Sequence, residues 1–470
     1  MRKTKIICTL GPASSTYEVL LAMAKEGMNV ARINMSHGTK EEHRQKIDLI
    51  KRIRKELDIA LPVMIDTKGP EVRIKTFKNG KVQLKAGQTF IFTPEDVEGD
   101  EHKVSVTYET LHKDLKKGNV ILLNDGLIKF VIKDIKGTDV ITECQNDGVL
   151  SDRKSMFFPD VVLNLPFLSE QDAEDLEFAA EVGAEFVAAS FVSNAFDMRE
   201  IRNFLRRKKA GNIDIIAKIE NSAGVQNIDD IMKESDGIMI ARGDMGVELP
   251  FEQLPAIQKK LIKRCSMMGK RVITATEMLE SMIEKPRPTR AEISDVANAV
   301  YDGTSCIMLS GETAVGRDPV NVVRTMSKIA ECTEANINYV KRFKEMNFEF
   351  RSIQDAVSHS AVNTAIDLNA AAIVVFTNSG ISARMISRFR SSMPIIGVTT
   401  SEDGYHKLSM SWGVKPMRIG TFSNTDDMLE SARDCALKSG LVKEGDTIVI
   451  AAGVPVGQGA NTNLIKAEIV

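Results

Sequence analysis

The chain has little of what marks several functional classes. Only 5 % of its 470 residues are aromatic, with a single tryptophan, Trp412, which excludes broad stacking surfaces for single-stranded nucleic acid. Neither sign of charge dominates: 62 lysines and arginines face 64 aspartates and glutamates, a formal charge of −2. That balance removes any whole-chain electrostatic case for a nucleic-acid or anionic-membrane partner. The six cysteines (Cys8, Cys144, Cys265, Cys306, Cys332, Cys435) are scattered, with no CxxC pair and no histidine at ligand spacing. They read as small core residues of a protein kept in a reducing compartment. No stretch approaches the ~18–20 apolar residues of a membrane span. The run Ile6–Leu10 behind Arg2, Lys3 and Lys5 is too short for a signal peptide before Gly11-Pro12. A cytoplasmic protein is expected. A Walker A loop is missing too: Gly311-Glu312-Thr313-Ala314-Val315-Gly316 continues as Arg317-Asp318 instead of Lys-Ser/Thr.

What is present is a long alternation of strands and helices. Apolar runs at Ile6–Leu10, Asn29–Ile33 and Pro62–Ile65 are separated by helical patterns over Ser15–Glu26 and Lys40–Glu56. The runs are unbroken, as expected for parallel strands buried on both faces. From Val72 to Leu150 the texture changes to short alternating strands between turn signals such as Lys78-Asn79-Gly80-Lys81 and Asp125-Gly126, which predicts a small antiparallel β domain. Strand–helix units resume at Ser169, whose Glu170 and Asp172 form a capping signature. Further strands are expected at Phe186–Ala189, Ile213–Ile216, Gly237–Ile240, Arg271–Thr274 and Cys306–Leu309. Eight such units predict an α/β chain built on a TIM (β/α)8 barrel with a small β-barrel lid inserted after the third strand. A doubly wound open sheet is the alternative. Beyond the polar stretch Lys341–Arg351, read as a linker, strands at Ile373–Phe376, Ile395–Val398 and Thr447–Ala451 predict a further α/β unit. The expected domains are residues 1–69 with 169–345 (barrel), 70–168 (lid) and 346–470 (C-terminal regulatory unit).

A TIM barrel carries its chemistry at the C-terminal ends of its strands. Arg32, Asn34, Ser36 and His37 follow the second strand, and Asp66, Thr67, Lys68, Glu71 and Arg73 the third. Ser190 follows the fourth, Lys218, Glu220 and Asn221 the fifth, and Arg242-Gly243-Asp244 the sixth. Thr274-Ala275-Thr276-Glu277 ends the seventh and Ser310-Gly311-Glu312 the eighth. Glu220 and Asp244 are hard oxygen donors without histidine or cysteine beside them, suited to Mg²⁺ or Mn²⁺. Arg32, Arg73 and Lys218 supply positive charge for phosphoryl or carboxylate oxygens. Asn34, Ser36, Asp66 and Thr67 offer oxygens suited to a monovalent cation.

These residues fall in segments that resemble the pyruvate kinase family over essentially the whole chain. They include Thr4–Pro12, Arg32–Gly38, Asp66–Arg73, Lys218–Asn221, Ala241–Gly246, Lys285–Glu292 and Leu309–Thr313. The resemblance implies a phosphotransferase of glycolysis that moves the phosphoryl group of phosphoenolpyruvate to ADP, giving pyruvate and ATP. It implies Mg²⁺ (or Mn²⁺) on Glu220 and Asp244, and K⁺ on Asn34, Ser36, Asp66 and Thr67. Lys218, Arg32, Arg73, Thr276 and Ser310 take the catalytic positions. Substrate binding falls to Lys218, Gly243, Asp244 and Thr276, and nucleotide binding to Arg32, Asn34, His37, Arg73 and Lys154. Glu71, rather than lysine, implies K⁺ activation. A homotetramer is implied, as is an allosteric phosphate at Thr377, Asn378, Ser379, Gly380 and Ser382. The closing loop Gly453–Gly459 has no arginine, which favours a sugar monophosphate or AMP over a bisphosphate. The chain departs from the family in Ser155–Asp160, where Gly-Val-Asn-Leu-Pro-Gly is usual, in Glu277 for glutamine and in Ala217 for serine. A barrel lyase acting on a pyruvate enolate and a non-catalytic sugar-phosphate sensor are the competing readings.

Overall fold

The computed structural model describes residues 1–455 and 461–470. Lys5–Thr9, Val30–Asn34, Val63–Asp66, Phe186–Ala189, Asp214–Ile219, Gly237–Ala241, Arg271–Ala275 and Cys306–Leu309 close into a barrel. Every neighbouring pair is parallel. Closure excludes the open doubly wound sheet. Side chains such as Met64, Phe186, Ile216, Met239 and Met308 fill the interior, while a larger apolar layer joins the strands to the surrounding helices. The strands read as continuous apolar runs because both faces are buried.

The helices start where short polar side chains satisfy their first amides. Thr39 with Glu42 and Thr289 with Glu292 form reciprocal capping boxes for Lys40–Glu56 and Arg290–Asp302. Ser169 caps Glu170–Val182, as its sequence context predicts. Among the described residues no helix is long and apolar enough to cross a membrane.

The insertion forms a seven-stranded sheet and a separate ladder pairing Lys81–Leu84 with Gly148–Ser151. Phe90, Phe92 and Phe130 meet at ring separations of 5.2–5.6 Å in its core. Thr89–Thr93 and Lys103–Ser105 run parallel, where turn spacing alone predicted an antiparallel arrangement throughout.

The C-terminal sheet has five strands, in the order Val414–Arg418, Ile395–Thr399, Ala372–Phe376, Thr447–Ala452 and Leu464–Ile469. The last strand is antiparallel to its neighbour. The two outer strands escaped the sequence reading because they are half-exposed edges, one of them interrupted by Pro416. Part of the stretch read as a linker is also structured: Tyr339–Lys344 is a helix, and Phe343 is buried against His359 and Phe389.

Candidate active site

The polar ends of the second to fifth barrel strands meet in one buried network. Asn34 lies opposite Asp66 in strand register, and Asp66 next to Ala188 of the fourth strand. Arg32 therefore reaches Asp66 directly, Nε to Oδ2 at 2.6 Å, while another guanidinium nitrogen donates to Thr9 Oγ1 at 2.8 Å. Lys218 Nζ sits 3.1 Å from Asp66 Oδ1 and 3.0 Å from Glu220 Oε1, and donates to Ser190 Oγ at 2.6 Å. The Ser190 hydroxyl in turn donates a hydrogen bond to the Thr67 carbonyl at 2.6 Å. Lys218 and Glu220, two residues apart on one strand, share a face as their spacing requires. The Phe191 amide, in a left-handed turn at φ 56°, donates to Glu220 Oε2 at 2.6 Å.

Burial works against every charge here, and the pairings decide the outcome. Burial opposes the Lys218 ammonium, but Asp66 and Glu220 outweigh it and raise its pKa. Burial likewise opposes ionised Asp66, yet Arg32 and Lys218 hold its carboxyl below the usual range. Burial pushes Glu220, 1 % exposed, up to about 7, with Lys218 opposing and Asp244 adding to the rise. Asp244 is raised by burial, with the negative charge of Glu71 and Asp125 adding to it. Three carboxylates thus face two cations, and the excess negative charge lies on Glu220 and Asp244. Two close, hard oxygen donors short of positive charge fit a divalent cation. Among the described residues no three histidine, cysteine or carboxylate groups converge on a metal-sized site. A divalent ion held by Glu220 and Asp244 would need water and substrate to complete its coordination.

The seventh strand runs into two consecutive left-handed residues, Thr276 at φ 68° and Glu277 at φ 54°. That conformation is unfavourable for a β-branched residue. It aims Thr276 Oγ1 at the start of the helix Arg242–Glu248, where it accepts the Gly243 amide at 2.8 Å. Arg242 is a clasp: it pairs with Asp295 at 2.7 Å and donates to the Thr276 carbonyl at 2.5 Å. At the eighth strand, Glu312 accepts the amides of Ser310 at 2.7 Å and Leu279 at 3.0 Å, so Ser310 is fixed through its backbone.

Arg73, Ser36, His37 and Lys154 stand apart from this network. Arg73 lies on the lid strand Val72–Arg73, where Nε pairs with Glu71 at 2.7 Å and another nitrogen donates to the Arg153 carbonyl at 2.8 Å. Glu71 also accepts the Ser155 hydroxyl. With Ser36, His37, Lys68, Lys75 and Arg153, Arg73 lines a cleft of about 650 Å³ that contains no carboxylate. Arg153, in a left-handed turn at φ 57° just before the strand Ser155–Phe157, also lines this cleft, next in sequence to the expected Lys154. Thr9 and Arg153 were missed. A polar strand end signals Thr9, whereas only the tertiary fold brings Arg153 to the cleft.

The model of the pyruvate kinase barrel domain matches residues 1–323, and that of the pyruvate kinase alpha/beta domain matches residues 355–467. The chain belongs to the pyruvate kinase family. The pyruvate kinase of Clostridium acetobutylicum is 45 % identical over 472 residues, spanning all of both chains. That of Geobacillus stearothermophilus is 46 % identical over 472 residues, covering all of this chain and 80 % of that protein. That of Bacillus licheniformis is 48 % identical over 476 residues, covering all of this chain and 81 % of that protein.

In the pyruvate kinase C-terminal unit, Thr377, Asn378, Ser379 and Ser382 line a cavity of about 370 Å³ together with Thr400 and Thr421. Gly380, at φ 86°, shapes the turn and donates its amide to Thr377 Oγ1 at 3.0 Å. No charged side chain lines this cavity among the described residues. Positions 456–460 of the closing loop lie outside the described residues.

Proposed function

We propose that the barrel rim transfers the phosphoryl group of phosphoenolpyruvate to ADP, giving pyruvate and ATP in the cytoplasm, as a glycolytic pyruvate kinase. The observation that carries this reading is the placement of Lys218 Nζ, 3.0 Å from Glu220 and 3.1 Å from Asp66, beside a carboxylate pair short of positive charge. Glu220 and Asp244 would hold Mg²⁺ or Mn²⁺, and Asn34, Ser36, Asp66 and Thr67 would hold K⁺. When bound, these ions supply positive charge to the phosphoryl oxygens without a proton to lose.

The side chains do the rest by position and charge. Lys218 stays protonated and faces the phosphoryl group in flight, and Arg32, clamped by Asp66 and Thr9, adds a second fixed cation. Thr276 with the amides of Gly243 and Asp244 orients the substrate carboxylate, which takes over the bond that Gly243 now gives to Thr276. Arg73, His37 and Lys154 or its neighbour Arg153 draw the nucleotide phosphates into the basic cleft between rim and lid. Ser310 stands beside the path of the proton that converts enolpyruvate to pyruvate. The barrel domain is taken as residues 1–69 and 169–345, the lid as 70–168 and the C-terminal unit as 346–470. The hydroxyl-lined cavity would take an allosteric sugar monophosphate or AMP, and the chain would assemble as a homotetramer.

The test is pyruvate release from phosphoenolpyruvate plus ADP, with Mg²⁺ and K⁺ omitted in turn. The proposal expects turnover that needs ADP and both ions. Pyruvate release without ADP points to a lyase or phosphatase, and no turnover to a sensor.

A further inference from the structure

Outside the rim, a second cluster of charge lies at the opposite end of the barrel. There the helix Ile381–Ser387 of the C-terminal unit places Met385 against Gly269, two residues before the seventh strand Arg271–Ala275. Arg271 opens that strand and is 1 % exposed. One of its nitrogens pairs with Asp214 at 2.7 Å and another reaches the Lys407 carbonyl at 3.3 Å, but Nε is buried with no partner. Arg384, 8 % exposed, approaches from the helix. Its amide bonds the Gly380 carbonyl, which puts the two residues on one helix face, and a Cβ at Gly380 would stand 4.0 Å from the Arg271 guanidinium.

Among the described residues no hydrogen bond or ion pair holds the Arg384 side chain. Its Nε is buried without a hydrogen bond, and Asp214 and Asp236 act on it only through space. Both carboxylates are engaged elsewhere. Asp214 holds Arg271 and, at 3.3 Å, Lys407; Asp236 holds Arg202 at 2.8 Å and the Ile215 amide at 3.0 Å. Lys407 also pairs with Asp403 at 2.7 Å. Lys270 Nζ bonds the Ser235 carbonyl at 2.7 Å, and the Ser235 hydroxyl is buried without a partner among the described residues. Five cations (Arg202, Lys270, Arg271, Arg384, Lys407) therefore face three carboxylates. Burial lowers the Arg384 pKa to about 10, with Arg271 adding to the shift and Asp214 and Asp236 opposing it. Buried polar groups are ordinarily bonded, and a buried cation without a partner is costly.

We propose that Arg384 and Arg271 together hold a small inorganic anion, a halide or a tetrahedral oxyanion, between the barrel and the C-terminal unit. The anion accepts from both guanidinium groups and balances the excess positive charge. It also ties the helix Ile381–Ser387, which begins in the Thr377–Ser382 turn, to the strand that ends just before Thr276.

Crystals grown in gluconate and transferred to bromide or to selenate separate the two kinds of anion. Anomalous density within about 3.5 Å of the Arg384 guanidinium is expected in at least one arm. In solution, at constant ionic strength, replacing gluconate with chloride or sulfate at ten times Kd raises the apparent Tm of the full chain by about 1.5 °C. Arg384→Gln abolishes most of that rise and is no less stable than the wild type in gluconate. Arg384→Lys, which keeps the charge but loses the planar fork, cuts the rise by at least half. Ser382→Asp, which fills the separate hydroxyl-lined cavity with negative charge, leaves the rise intact. A full rise in Arg384→Gln overturns the proposal, as does the absence of a peak in both arms with Arg384 turned onto Asp236.

Discussion

Replacing Lys218 by methionine keeps most of the side chain's length and removes its charge. The Lys218 side chain is 12 % exposed, so water screens it little, and its Nζ lies about 3 Å from carboxylates at the ends of the third and fifth strands. A unit charge acting on a phosphoryl oxygen at ~4 Å, in an effective dielectric of ~20, contributes about 4 kcal/mol. If that interaction is made mainly in the transition state, kcat falls by about 10³. The same substitution removes a competitor for the Glu220 oxygens, so Mn²⁺ affinity, read by electron paramagnetic resonance, stays within about threefold of wild type or improves. The assay is steady-state pyruvate formation at saturating phosphoenolpyruvate and ADP, with circular dichroism to verify the fold. A kcat within tenfold of wild type refutes the role of Lys218. A loss of Mn²⁺ binding equal to the loss of rate would assign the lysine to building the metal site instead.

Other outcomes follow from the same geometry. Ser190→Ala deletes the 2.6 Å bond that fixes Lys218; a hydrogen bond to a charged group is worth ~1.5–3 kcal/mol, so kcat should fall about 10–100-fold with KM for phosphoenolpyruvate little changed. A change confined to KM would contradict this positioning role. Glu71 is held by Arg73 and Ser155 and brings no cation to the rim, so activity should drop at least about tenfold when tetramethylammonium replaces K⁺; undiminished activity would sink the monovalent-cation assignment. Glu248 accepts the Phe158 amide of the lid segment at 3.3 Å, and burial pushes its carboxyl from an ordinary 4.5 up to about 7, with Asp160 adding. Its folded pKa lies above the unfolded one, so its contribution to stability is complete below about pH 4.5 and fades as pH rises through 7. Glu248→Gln should therefore flatten the fall in stability over that window in chemical unfolding, and equal slopes in the two proteins would count against it.

The barrel was legible because parallel strands buried on both faces leave unbroken apolar runs, and because the barrel's chemistry sits at strand ends. Lys218 and Glu220 could be placed on one face from spacing alone. The half-exposed edge strands Val414–Arg418 and Leu464–Ile469 gave no such run. Thr9 and Ser190 acquire meaning only through partners on other strands: Arg32 lies 23 residues beyond Thr9, and Lys218 lies 28 beyond Ser190. Arg271 shows the same limit more sharply. In sequence it is a charged residue opening an apolar strand, while its partners are 57 and 136 residues away. The segment Ser155–Asp160 departs from the family pattern, yet Ser155 and Met156 still pair with Arg73 and Val72 and hold the lid strand in register.

The central claim is that one phosphoryl group passes intact from phosphoenolpyruvate to ADP on this rim. Phosphorus-31 magnetic resonance of the wild-type chain with phosphoenolpyruvate, ADP, Mg²⁺ and K⁺ tests it directly. The account predicts that the phosphoenolpyruvate resonance is replaced one for one by the γ-phosphate of ATP, with an equal amount of pyruvate and no inorganic phosphate. Pyruvate accompanied by inorganic phosphate, or an unchanged phosphoenolpyruvate signal with both ions present, would contradict it.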